Sequence, residues 1–408
     1  MATFGIVVGG GPAPGINGVI SAATLAARQR GSRVIGILQG FEWLMQGDIE
    51  HVVDLDADSV SRIHEQGGSI LRTSRANPTR DPVHLDRVVD GLARLGIDHL
   101  ISIGGDDTCF SARTVAEAAG DRLSVVHVPK TIDNDLPLPP GVPTFGFETA
   151  RATASGILGT LLEDARTAGR WYIVVLMGRN AGHLALGAAH SAGATLAVVA
   201  EEYGDQKIQL DQLARRVEGS ILKSAAEGRA NGVIVLAEGL GECLDPADLT
   251  ELSDLPRDEH GHLRLAELPL GRLVRDRVEK RLADHGMNLT MVVKDVGYEL
   301  RCVQPVAFDQ EYTRELGAGA VTTLLDGQGH VMITRQNQKI VPIPFDDILD
   351  PATGKTRVRM LDTRTESFAT ALSLQTRLSP ADLEDPKTSG LIEGISSLDL
   401  DALKARFA

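Results

Sequence analysis

The chain has 408 residues, 43% of them hydrophobic and 24% charged, with 43 glycines and 18 prolines spread along it. This length suits two or three domains, each with its own core, and the spread of Gly and Pro excludes collagen and low-complexity linkers. The 41 basic against 55 acidic residues give a formal net charge of −14, which argues against a nucleic-acid partner or an anionic membrane surface.

Aromatic residues are only 4%, leaving Val, Ile, Leu and Ala to fill the core, as in buried parallel sheets. No apolar run reaches the roughly 18–20 residues of a membrane span. The opening MATFGIVVGGG enters a strand without a basic region or cleavage site, so no secretory leader is expected. Cys109, Cys243 and Cys302 lie far apart, which predicts neither disulfides nor a zinc site. The expectation is a reduced, cytoplasmic enzyme with no membrane or nucleic-acid partner.

In chain order, Thr3–Val8 reads as a strand, Ile16–Gln29 as a helix and Arg33–Leu38 as a strand. Leu85–Leu95 reads as helix, His99–Ile103 as strand, Thr108–Ala119 as helix and Ser124–Val128 as strand. Then come helix Thr149–Ala168, strand Trp171–Met177, helix Ala181–Ser191 and strand Thr195–Val199. A helix from about Asp211, strand Gly232–Ala237 and helix Leu270–His285 complete the pattern. Such alternation predicts an α/β fold with parallel sheets and right-handed crossovers. After Phe345 the pattern fades into surface helices and loops.

Ligands of doubly wound sheets bind beyond the C-terminal ends of the strands, and four loops there carry Gly, Asp or Arg. In GGGPAPGIN, Gly9 to Asn17, glycines let backbone amides approach an anion at a helix N-terminus. The dinucleotide pattern fails because Pro14 stands at its third glycine and Gln39, not an acid, ends the second strand. The Walker pattern fails for want of Lys-Ser/Thr after Gly15. In GGDDT, Asp106 and Asp107 crowd two carboxylates at a strand end. A cation relieves that repulsion, and Mg²⁺, held by one carboxylate and phosphate oxygens, is the natural one; a helix cap from Asp explains only one of the two.

PKTIDND, Pro129 to Asp135, sets Asp133 and Asp135 around Asn134 with Lys130 three residues before Asp133. A carboxylate there can accept the proton of a hydroxyl attacking phosphorus. In MGRNAGHLAL, Arg179 beside helix amides suits a sugar phosphate. Glu238 ends the strand GVIVLAE, where a carboxylate can hold sugar hydroxyls, and Tyr298 and Arg301 in GYELR offer further phosphate contacts. Glu259, His260 and His262 lie in a polar stretch without another metal ligand nearby and read as a surface loop.

Taken in order, GGGPAPGIN, GGSILRTSR, GGDDT, PKTIDND, MGRNAGH, the AEG around Glu238 and GYELR resemble the phosphofructokinase family over roughly residues 3 to 325. The resemblance implies two doubly wound, Rossmann-like domains with parallel sheets facing a central active-site cleft. Their expected bounds are 1–145 plus about 302–345 for the phosphoryl donor and 146–301 for the sugar phosphate, with 346–408 as a C-terminal extension. It implies Mg²⁺-dependent phosphorylation of the C1 hydroxyl of fructose 6-phosphate by a homodimer or homotetramer.

Carried over by position, Gly11 and Arg75 bind the donor phosphate, Asp106 holds Mg²⁺, and Asp133 is the general base. Thr131, Ile132 and Asp135 surround the reacting hydroxyl. Met177, Gly178, Arg179, Glu238, Tyr298 and Arg301 hold the sugar phosphate, and Arg170 reaches that of a neighbouring subunit. Asp107 and Lys130 stand where the ATP-dependent branch has Gly, and both match the pyrophosphate-dependent branch, as does Tyr298 within GYELR. Val292 replaces an arginine of the family, with Lys294 nearby. Pyrophosphate is therefore the expected donor and an ATP-dependent sugar-phosphate kinase the alternative. Pro14 and Gln39 disfavour a nicotinamide dehydrogenase, and Asp106 together with Asp133 disfavours a non-catalytic sensor.

Overall fold

The computed structural model describes residues 2–179, 181–248, 268–352 and 356–407. Glu259, His260 and His262 lie outside the described residues. The chain divides into two compact units, Met1–Ala150 with Tyr298–Arg359, and Arg151–Gly297 with Met360–Ala408. The expected extension 346–408 is thus shared, its first fourteen residues belonging to the first unit and the rest to the second.

In chain order the elements begin with β1 (Thr3–Val8), α1 (Ile16–Gln29), β2 (Arg33–Ile37), α2 (Glu42–Met45), β3 (Val52–Asp54), α3 (Pro82–Arg94) and β4 (His99–Gly104). They continue with α4 (Asp106–Ala119), β5 (Ser124–Thr131), β6 (Phe145–Gly146), α5 (Phe147–Ala168), β7 (Trp171–Leu176), α6 (His183–Ala192) and β8 (Leu196–Val198). Next are α7 (Leu210–Ala226), β9 (Gly232–Ala237), α8 (Leu240–Cys243), α9 (Leu270–Asp284), β10 (Met291–Val296) and α10 (Ala307–Leu325). Last come β11 (Val331–Gln336), β12 (Lys339–Pro344), α11 (Glu366–Ser373), α12 (Pro380–Glu384), α13 (Pro386–Glu393) and α14 (Leu400–Phe407).

The first unit holds a sheet in the order β12-β11-β5-β4-β1-β2-β3, with β6 added to β5. The central strands are parallel and, apart from their ends, buried on both faces, which is why they are largely apolar and rich in Val and Ile without alternation. The parallel sheet carries one antiparallel strand at each edge, β3 beside β2 and β12 beside β11. The β11–β12 hairpin turns through only Asn337 and Gln338, both at positive φ (49° and 63°), as a two-residue primed turn requires. Chain order runs from β1 to β2 on one side and returns to β4 on the other, so a switch point lies between β1 and β4.

Helix α10, nineteen residues long, lies against α1 and was not expected from sequence. Its buried Asp309 receives the Gly146 and Thr149 amides at 2.9 and 2.8 Å, tying it to the start of α5. The second unit holds a parallel sheet in the order β10-β7-β9-β8. Its core is aliphatic around Trp171, and Leu383, Ile392 and Leu403 of α12–α14 form a small cluster beside Ala226 of α7.

Candidate active site

In the first unit, β5, β4 and β1 are adjacent and parallel, so the loops that leave them are neighbours at one sheet end. Gly9 donates its amide to Ile103 at 2.9 Å and Gly10 to Ser74 at 2.8 Å. Thr108 packs against this junction only because both residues there are glycine: a Cβ on Gly9 or Gly104 would come within 2.5 and 2.3 Å of its side chain. Beneath this junction lies His127, fully buried, with ring nitrogens 3.3 Å from Ser102 Oγ and 3.0 Å from the Gly104 carbonyl. Burial holds its pKa at about 3, so it is a neutral support for the start of GGDDT. Asn17 supports the other flank, its amide bridging the Gln66 and Gly67 carbonyls (3.3 and 3.4 Å) and accepting from Ile70 N–H at 2.9 Å. The loop carrying exposed Arg75 is thereby pinned to the first turn of α1.

Helix α4 begins at Asp106, two residues earlier than the pattern suggested, with extended Gly105 in the cap position. Neither Asp is the cap; both occupy the first turn, where the positive end of the helix favours them. Both open to solvent. Surrounding protein, then Asp107 and Asp135, push the Asp106 carboxyl up to about 6.

Lys130, 4% exposed at the end of β5, donates its ammonium to the Gly11 carbonyl. Burial and then Arg301 lower its pKa to about 8, against the pull of Asp133, Asp106 and Asp135. A Cβ on Gly11 would lie 3.5 Å from the Arg301 guanidinium carbon, and one on Gly10 would lie 3.5 Å from Lys130 Nζ. Two cations therefore flank the glycine loop. Arg301 also stands over the Tyr298 ring at 5.0 Å, and Tyr298 is 67% exposed. Both belong to the first unit, whereas the sequence reading grouped them with the sugar-phosphate domain.

The Asp133 amide donates to Thr131 Oγ1 at 3.0 Å, and Asn134 adopts positive φ, 59°, turning the chain between Asp133 and Asp135. Burial, then Asp133, raises the Asp135 carboxyl to about 6. Ile132 is 4% exposed, its side chain packed in the protein, so only its backbone can face a ligand. Among the described residues no three Asp, Glu, His or Cys groups make a metal cage of their own. Asp106, open and crowded by like charge, fits an ion completed by phosphate oxygens and water.

In the second unit, β10, β7 and β9 end side by side, bringing Met177, Glu238 and Gly297 together. The Glu238 amide donates to Leu176 at 2.9 Å, and its carboxylate accepts from Gly178 N–H at 3.2 Å. Met177 is buried against Gly297, while Arg179 is exposed. The N-terminus of α6 follows, its Gly182 amide donating at 2.8 Å to Glu201, which also accepts from Leu361 at 3.1 Å. Arg170 lies just before β7, with Nε 3.5 Å from Asp164 Oδ2. Sequence reasoning missed Asn17, His127, Glu201 and Arg359 as supports; only Asn17 had a signal, its place in GGGPAPGIN.

Glycine amides, two cations and a carboxylate cluster at one switch point define a phosphate-handling enzyme. The phosphofructokinase family model matches residues 3–324. A pyrophosphate–fructose 6-phosphate 1-phosphotransferase of Naegleria fowleri is 49% identical over 395 residues, 95% of this chain and 90% of that protein. The Thermotoga maritima enzyme of the same name is 45% identical over 99% of this chain and 97% of its own length. An ATP-dependent 6-phosphofructokinase of Halalkalibacterium halodurans is 31% identical over 86% of this chain and 94% of its own. Among solved structures, a pyrophosphate-dependent phosphofructokinase of Nitrosospira multiformis shares the fold, with TM-score 0.68 at 17% identity over 96% of this chain and 91% of that one. This chain belongs to the phosphofructokinase family.

Proposed function

We propose that the chain transfers a phosphoryl group reversibly from pyrophosphate to the C1 hydroxyl of fructose 6-phosphate, yielding fructose 1,6-bisphosphate and phosphate. The observation that carries this reading is Lys130 bonded to the Gly11 carbonyl and acted on by the charges of Asp133, Asp106 and Asp135, with Asp107 in the first turn of α4. The near-full-length relatives at 49% and 45% identity carry that activity in their names.

Gly11 and Arg75 hold the donor, with Lys130 facing its phosphates. Asp133 accepts the proton of the C1 hydroxyl as its oxygen attacks phosphorus; the bridging P–O bond breaks and phosphate leaves. Lys130 stabilises the charge that builds on that leaving group. Thr131, the Ile132 backbone and Asp135 surround the hydroxyl, while Met177, Gly178, Arg179, Glu238, Tyr298 and Arg301 hold the sugar phosphate. Asp106 would hold Mg²⁺, which supplies charge neutralisation to the phosphate oxygens. The protein works as a homodimer or homotetramer in which Arg170 completes a neighbour's sugar-phosphate site. The enzyme works in the cytoplasm on this reading; no helix among the described residues is long and apolar enough to cross a membrane.

The test is turnover with pyrophosphate and with ATP in parallel, at matched Mg²⁺ and fructose 6-phosphate. Pyrophosphate activity with little ATP activity is the expected result. Equal rates would promote the ATP-dependent alternative.

A further inference from the structure

Arg359 lies beyond the part of the chain that the family model matches, yet its side chain is directed onto the PKTIDND loop. Its Nε donates to the Asn134 carbonyl at 3.0 Å, and one terminal nitrogen donates to Val142 at 2.8 Å and to Leu138 at 3.4 Å. The other terminal nitrogen donates to Asn134 Oδ1, and the Arg359 amide donates to the Asp135 carbonyl at 2.7 Å. Asn134 Oδ1 accepts from Thr144 N–H at 3.0 Å as well. One residue thus holds both the backbone and the side chain of Asn134, the left-handed residue between the two site aspartates.

Left-handed backbone is disfavoured for any residue with a Cβ, and Asn accepts it only with local hydrogen bonds to hold it. Two adjacent carboxylates at Asp133 and Asp135 repel and would open the same turn. A guanidinium is suited to oppose both effects, because its charge is permanent and its planar fork reaches several carbonyls at once.

We propose that Arg359 is a positioning residue for phosphoryl transfer, clamping the Asn134–Val142 loop so that Asp133 and Asp135 keep their working separation. The proposal rests on the phosphotransferase reading given above. Displacement of a reacting group by about 1 Å costs on the order of a hundredfold in rate.

The experiment compares the full-length wild type with Arg359→Ala, Arg359→Lys and Arg357→Ala, using pyrophosphate, Mg²⁺ and fructose 6-phosphate. Arg359→Ala should lose roughly a hundredfold in kcat, with KM for both substrates within about threefold. Guanidinium at tens of millimolar should restore at least about tenfold of that loss, whereas Arg359→Lys, which keeps the charge but not the fork, should stay at least about tenfold below wild type. Arg357→Ala, whose side chain bonds the Asp347 carbonyl instead, should match wild type. Unchanged kcat in Arg359→Ala, or a loss that guanidinium leaves untouched, overturns the proposal. If Arg359→Ala does not fold, parity of Arg359→Lys with wild type overturns it and a drop in kcat alone supports it. A wild type that fails to turn over pyrophosphate refutes the functional reading instead. The clamp is then judged by amide exchange, which needs no substrate: faster exchange across 134–144 in Arg359→Lys supports it, and unchanged exchange rejects it.

Discussion

The Lys130 ammonium is hydrogen-bonded to the Gly11 carbonyl, so the end of β5 is stapled to the glycine loop that leaves β1. That bond fixes a cation beside the glycine amides while removing it from water. Burial and the Arg301 guanidinium lower its pKa to about 8, within reach of ordinary assay conditions. In the proposed role the protonated form faces the donor phosphates, and on that reading kcat/KM for pyrophosphate should fall as pH rises through about 8. Arginine does not titrate there, so Lys130→Arg should remove or raise this limb even if its maximal rate is lower. A wild-type limb that Lys130→Arg leaves in place would assign it to another group. Stability runs the other way: between about 8 and 10.5 the folded state binds fewer protons at Lys130 than the unfolded chain, so this group's contribution rises with pH.

Asp133 is predicted to be the general base, from its place in the loop after β5, its amide capped by Thr131 Oγ1. Asp133→Ser should lower kcat by roughly 10²–10⁴-fold with a much smaller change in KM for the sugar phosphate. Steady-state kinetics on the folded variant decides it, and an unchanged kcat removes Asp133 from that role.

Much of this framework was legible because the central strands are buried on both faces and therefore spell Val, Ile and Leu without alternation; β1 and β9 have the bounds that the sequence suggests. Helix α10 was not legible, since Gly317 and Gly319 pack against α1 and β12 while Asp309 and Thr313 are buried on its apolar side, leaving no polar-to-apolar stripe. Helix α4 starts early because Gly105, not an aspartate, takes its cap position. The loops bearing Gly11, Asp106 and Lys130 were readable as strand-end loops of glycine and charge. Arg359 and His127 were not, because their partners lie 225 and 25 residues away along the chain and neither sits in a motif.

In the second unit Glu218 is wholly buried and accepts from Arg281 at 2.6 Å, His285 at 2.8 Å and Arg406 of α14 at 2.5 Å. Removing the carboxylate leaves buried donors without their acceptor, which costs about 3–5 kcal/mol where such pairs are broken. Glu218→Ala should lower the urea midpoint of this unit. The two tryptophans make that readable: Trp43 belongs to the first unit and Trp171 to the second, so a Trp43→Phe background reports Trp171 alone. An unshifted Trp171 transition would show that the network contributes little.

Arg170 sits before β7, at the end of the strand away from Met177, and its Nε is 3.5 Å from Asp164. If it serves a neighbouring subunit, Arg170→Ala and Asp133→Ser variants, each inactive, should partly recover activity when unfolded and reassembled together. Some mixed sites would then carry both intact residues. Sedimentation as a monomer, or no recovery from mixed subunits, counts against the shared site.

The choice of donor turns on charge. Pyrophosphate and ATP present two similar phosphates to the reacting end, and ATP adds a third phosphate with a nucleoside beyond it. Asp107, exposed in the first turn of α4 beside Asp106, sets a fixed negative charge near the expected position of that extra phosphate. Two unit charges 4 Å apart interact by about 4 kcal/mol at an effective dielectric near 20, and each ~1.4 kcal/mol is tenfold in affinity. Repulsion alone can therefore weaken ATP binding by up to about a thousandfold. Asp107→Asn keeps the volume and removes the charge, so it should admit ATP nearly as well as Asp107→Gly; admission only by Asp107→Gly would make bulk the barrier. Either substitution gives up a favourable helix-end charge, a loss of about 0.3–1 kcal/mol in stability. Adding Lys130→Gly to Asp107→Gly should then impair pyrophosphate use, because it removes the bond to Gly11 together with the cation proposed to stabilise the leaving phosphate. Competition kinetics with both donors reads the switch directly, and a wild type that already uses ATP as well as pyrophosphate would leave Asp107 without this role.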